Sequence, residues 1–126
     1  MRLGRWSLFL AATLALAAPY AFAGSAPDKA PAEVRRIERL IDAVEKSSDC
    51  RFVRNGVDYD ASTAARFLRA KWAYAGDRIR TAEDFIREIG TQSSTTGTRY
   101  RVRGPDGREE DGAAFLNRRL EERPAD

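Results

Sequence analysis

Histidine is missing from the whole 126-residue chain, so any chemistry must come from serines, lysines, carboxylates or one thiol. Ser-His-Asp and Cys-His catalysis are excluded, and so are imidazole metal ligands. The single cysteine, Cys50, excludes an intrachain disulfide and a Cys-rich zinc site. Serines at 93 and 94 lie in a polar run, TQSSTTGT, that contains Gly97 and leads to Tyr100. A serine nucleophile there needs a base, and Lys71 is the residue of the right type. Such a dyad requires a buried lysine with depressed basicity. The same run also reads as a recognition loop whose hydroxyls and amides bind a sugar, a peptide or a phosphate-like group. The plainest reading is a solvated connection whose Ser and Thr cap neighbouring elements.

Other chemistry-bearing groups have equally plain alternatives. Arg54 and Asn55 offer a guanidinium and an amide at a hairpin tip, with Tyr59 close by in sequence. Asn55-Gly56 is explained by turn geometry alone, since a two-residue type I′ turn needs positive φ at both positions. Arg99, Arg101 and Arg103 alternate along one strand face and suit an anionic ligand. Pairing with Glu109, Glu110 and Asp111 across a hairpin explains them more simply. Asp58, Asp60, Glu83 and Asp84 are available as acids, but helix capping accounts for such positions. Lys71, beside Trp72, either binds something or lays its stem over apolar surface. Cys50 reads first as a buried, inert thiol. No cofactor and no metal site is expected.

These groups must be held by elements that the hydrophobic pattern makes legible. A first helix starts near Pro31, with Val34, Ile37, Leu40, Ile41 and Val44 at helical spacing. Residues 51–59 form a hairpin about Asn55-Gly56, pairing Phe52 with Tyr59 as an aromatic cross-strand contact. Asp60 caps a second helix, about 61–75, whose stripe is Ala61, Ala64, Ala65, Leu68 and Trp72, widened by Phe67. Gly76 is its stop. Thr81 and Asp84 make a capping-box pattern for a third helix with Phe85, Ile86 and Ile89 inward, and Gly90 as its stop. Tyr100 and Val102 open a second hairpin, with Pro105-Asp106-Gly107 as the turn and a weak return strand about 108–110. Asp111 caps a last helix, about 112–122, with Phe115, Leu116 and Leu120 inward. The expected fold class is α+β: about four helices with a small antiparallel sheet made of one or two hairpins.

Residues 1–23 are an address. Arg2 and Arg5 precede an apolar stretch from Trp6 to Ala18, and Ala21-Phe22-Ala23 is an A-x-A cleavage site. The stretch falls short of the ~20 residues of a membrane span. Residues 24–32 are a flexible lead-in and 33–123 a single domain. The full chain carries 22 basic and 19 acidic residues. Cleavage removes two arginines and no acid, leaving a net charge near +1, so the charge gives no argument for nucleic acid.

With these motifs in place, the chain resembles the YfeK-like family of small secreted bacterial proteins of unknown function. The resemblance is carried by Phe52-Val53-Arg54-Asn55-Gly56, by Ala64, Leu68 and Lys71, by Thr81-Ala82-Glu83-Asp84-Phe85-Ile86, and by Ser93-Ser94, Gly97 and Tyr100. It covers about residues 33–121. One departure is Phe67, where the family pattern has a histidine, so any role of that imidazole is absent here. The resemblance implies secretion to the periplasm and a shared fold, and it implies no activity.

The expectation is therefore a periplasmic, non-enzymatic binding or interaction module of the cell envelope. Its candidate surface is Arg54, Asn55, Tyr59, Lys71, Ser93, Ser94, Gly97 and Tyr100. Its partner is an envelope protein, a peptide or a glycan, with no nucleic acid and no stable membrane span after cleavage. A small hydrolase or transferase using carboxylates or a Ser-Lys pair is the alternative from another class. A purely structural assembly role is the third.

Overall fold

The computed structural model describes residues 30–122. The leader predicted at 1–23, and the lead-in as far as residue 29, lie outside the described residues. Helix α1 (Pro31–Lys46) has Pro at its first turn and buries Ile37, Leu40, Ile41 and Val44 along one face. Strands β1 (Arg51–Arg54) and β2 (Val57–Tyr59) form the first hairpin. Helix α2 (Ala61–Ala75) follows at once, because the Asp60 side chain accepts from the Thr63 N–H and satisfies an orphan donor of the first turn. A short 3₁₀ turn at Gly76–Arg78 leads to α3 (Ala82–Glu88). Strands β3 (Arg101–Arg103) and β4 (Glu109–Asp111) make the second hairpin, and α4 (Gly112–Glu121) ends the described chain. No helix among the described residues is long and apolar enough to cross a membrane.

The fold is α+β, and both hairpins join one antiparallel sheet in the order β2-β1-β3-β4. Phe52 pairs with Tyr59 on one side and with Val102 on the other. Because side chains alternate across a strand, Phe52, Arg54, Tyr59 and Val102 share the inner face. Phe52 and Val102 there join a core with Val44, Leu68, Phe85, Phe115 and Leu116. Each such large side chain contributes about 1.5–3 kcal/mol on full burial. The core also takes Ile79, fully buried between the 3₁₀ turn and α3, which the sequence pattern did not single out.

Two expectations need correction, and a third holds by a different mechanism. Phe52 and Tyr59 hold the predicted register, but their rings turn to helices instead of each other. Phe52 meets Phe115 edge-on at 5.7 Å, and Tyr59 meets Phe67 edge-on at 5.1 Å. The inner sheet face is covered, so helical neighbours compete for both rings. Gly90 does follow the α3 C-cap Ile89, where the stop was expected, but its φ is not positive and it makes no left-handed turn. A Cβ there would lie 2.4 Å from Leu116 Cδ1, so glycine allows α4 to approach. Finally, only part of the predicted Arg–acid pairing holds. Arg99 pairs with Asp111, Arg101 with Glu109, and Arg103 with Glu109 and Asp58. Glu110 sits opposite Val102, on the inner face, and pairs with Arg118 of α4 instead.

Candidate functional site

The hairpin tip and the polar loop meet. Asn55 has φ of +52° in the β1–β2 turn, a conformation that asparagine tolerates better than most residues. There its Nδ2 donates to Ser93 Oγ at 3.3 Å, and its Oδ1 accepts from Thr96 Oγ1 at 2.5 Å. Ser93 is 1 % exposed, so this loop is anchored by a buried hydroxyl in place of an apolar side chain. The Ser93 N–H donates to Thr98 and the Gly97 N–H returns to Ser93 O, which closes the loop on itself. Gly97 has φ of +75° and serves that turn, with open space around its Cα.

Lys71 lies one turn beyond Leu68 on α2 and reaches across to the same loop. Its Nζ donates to Ile89 O at 3.0 Å, Gln92 O at 3.3 Å and Tyr100 Oη at 2.9 Å. The ammonium also stands 5.0 Å from the Tyr100 ring centroid. Lys71 is thus a tie between α2, the end of α3 and the start of β3. It makes no hydrogen bond to Ser93 or Ser94, so the described geometry does not assemble a Ser-Lys dyad.

Between α2 and the inner sheet face lies a cavity of about 60 Å³ whose walls are almost wholly carbon. Its buried lining includes Leu68, Val102, Phe115 and Leu116. The half-exposed lining residues Arg54, Tyr59, Phe67, Lys71 and Tyr100 form the mouth. Phe67, 40 % exposed, is held between the Tyr59 ring and the Arg54 guanidinium, which stands 5.7 Å from its centroid. Arg54, Tyr59, Lys71 and Tyr100 are therefore brought to one cavity, and Asn55 and Ser93 hold its two flanking segments together. Ser94 is placed elsewhere, in a second and more polar pocket of about 430 Å³ that it lines with Lys71, Tyr74, Arg78 and Glu88. Sequence reasoning missed Phe67 as a mouth residue. Its position at the edge of the α2 stripe was the available signal.

The acids singled out do structural work. Asp60 caps α2, and the Thr63 N–H holds its carboxyl below the usual range. Arg36 does the same for Glu83, joining α1 to α3, and Arg36 also binds Glu33. Asp84 accepts from the N–H groups of Arg80 and Thr81 and from Arg87, which likewise lowers it. Asp58 pairs with Arg103 on the outer sheet face. A general acid needs the opposite shift, upwards through desolvation. Cys50 is buried and free, and burial pushes its thiol up, away from the reactive thiolate.

A small α+β scaffold with an apolar cavity and a cationic, aromatic mouth is the class of structure these residues define. The chain belongs to a family of unknown function, DUF5329, whose model matches residues 31–123. It is 38 % identical over 68 residues to the uncharacterized protein YfeK of Salmonella typhimurium, an alignment spanning 54 % of this chain and 57 % of that relative. The match thus extends over little more than half of either protein. No solved structure matches the chain.

Proposed function

We propose that the protein is a non-enzymatic binding module of the cell envelope, exported by the segment at 1–23, that seats an apolar group of its ligand in the cavity beneath the first hairpin. The observation that carries this reading is the cavity with its clasped rim. Protein interiors are close-packed, so an apolar void with polar groups converging on its mouth is what a small apolar seat with orienting polar contacts requires. Here the polar groups converge from three separate segments: Arg54 from β1, Lys71 from α2 and Tyr100 beside β3. The hydrogen bonds of Asn55 to Ser93 and Thr96 hold two of those segments in place before any ligand arrives. Such preorganisation reduces the entropy lost on binding.

Two measurements test it. Fractionation of the native cells with N-terminal sequencing should find the protein in the envelope compartment, starting near Gly24. A cytosolic protein starting at Met1 would refute export. Titration of the labelled protein with octan-1-ol, followed by amide NMR, should shift signals around Leu68, Val102, Phe115 and Leu116 first. No shift there would reduce the cavity to a packing defect.

A further inference from the structure

The electrostatics of the mouth go further than an apolar seat. Among the described residues that line the cavity, Arg54, Lys71 and Arg101 are cationic and none is acidic. Arg101 alternates with Val102, so it lies on the outer sheet face, where it pairs with Glu109. No carboxylate among the described residues lies within ion-pair distance of Arg54 or Lys71. All three Lys71 donors are engaged, and every acceptor is neutral: two backbone carbonyls and the Tyr100 hydroxyl. Tyr100 Oη receives that bond from the ammonium, and its own proton has no acceptor among the described residues. A phenol that accepts from a cation is polarised into a stronger donor. The mouth therefore presents one activated O–H and two uncompensated positive charges above carbon walls.

We propose that the ligand is a single-chain alkyl carboxylate, with its chain end in the cavity and its carboxylate on the Tyr100 hydroxyl under the charge of Lys71. The chain chemistry follows from the walls. A glycan, or the backbone of a peptide, would carry hydroxyls or amides into a space that offers them no partners, at a cost of at least ~1–3 kcal/mol each. A hydrocarbon chain end needs none, apolar cavities stay dry, and the space of about 60 Å³ has room for the last few carbons of such a chain. The head chemistry follows from the charges, since an anion is the one group that both cations and the free O–H favour together.

This assignment rests on the cavity reading above, and the experiment separates the two. Isothermal titration of the purified protein compares octanoate, octan-1-ol, octylammonium and acetate. Octanoate should bind about tenfold more tightly than octan-1-ol, the worth of one hydrogen bond to a charged group. Octylammonium should bind more weakly than octan-1-ol, and acetate not measurably. Tyr100→Phe should erase the advantage of octanoate while leaving octan-1-ol unchanged. Arg54→Gln, at the half-exposed mouth, should lower that advantage severalfold without touching the Lys71 tie. Equal binding of octanoate and octan-1-ol, or an advantage that survives Tyr100→Phe, would overturn the headgroup assignment alone. Absence of binding by every alkyl compound would overturn the cavity reading with it.

Discussion

At the residue scale, Asn55 shows how one side chain serves two purposes that the sequence suggests only singly. An Asn-Gly pair between apolar residues signals a tight hairpin, and its φ of +52° bears that out. The long-range part, hydrogen bonds to Ser93 and Thr96 some forty positions away, has no local signature. Two substitutions separate the purposes. Asn55→Gly keeps the turn and loses the clasp, and should cost about 1 kcal/mol, given ~0.5–1.5 kcal/mol per net hydrogen bond. Asn55→Ala loses the clasp and forces a Cβ without compensation into the left-handed region, and should cost about 1–3 kcal/mol more. Urea denaturation of the three proteins reads both steps. Equal midpoints for wild type and Asn55→Gly would show that the clasp contributes nothing to stability.

At the element scale, α2, α3 and α4 are tied to their starts by side-chain caps that act within four residues, and α1 by a proline in its first turn, which is why they were legible. Asp60 on Thr63, the reciprocal Thr81–Asp84 box and Asp111 on Ala113 all stand where the sequence placed them. What the sequence left open is the order of strands. Pairing of β1 with β3 joins residues about fifty positions apart, and no turn signal encodes it. The same non-locality hid the burial of Ile79 and the choice of helical partners by Phe52 and Tyr59. The candidate site was legible in part for the same reason. Its residue types could be named, but the cavity arises only when α2 closes over a sheet built from two separate hairpins. The α3 box makes a specific prediction. Thr81→Ala should cost about 1 kcal/mol, as cap losses generally do. Asp84 adds a pH dependence with a fixed sign. Backbone donors, chiefly Arg80, and Arg87 hold its folded carboxyl below the unfolded value. Its stabilisation is therefore fully present above about pH 4, the unfolded aspartate value, and is lost as pH falls through the folded value. Asp84→Asn should be less stable than wild type at neutral pH, and the gap should close in acid. A gap that stays constant down to acid unfolding would show that the charge of Asp84 plays no part.

At the scale of the whole molecule, stability and the proposed seat draw on the same space. The cavity forfeits contacts that a filled core would make, because carbon atoms facing a void have no partners on one side. Ala64 of α2 is buried and lines that void, so a larger side chain there can enter it without breaking a cap, a turn or the Lys71 tie. Leucine also keeps the helix propensity high. Ala64→Leu should therefore raise stability by about 0.5–2 kcal/mol, the usual return from filling a cavity. The same variant should stop binding octan-1-ol and octanoate alike, since both chains need the space. A packing defect with no purpose would give the first result with no binding to lose, and a core already full would give destabilisation by about 1–3 kcal/mol through overpacking. Gain of stability together with loss of alkyl binding is the combination expected of a seat kept open for a ligand. Thermal denaturation and calorimetry on the one variant decide among the three.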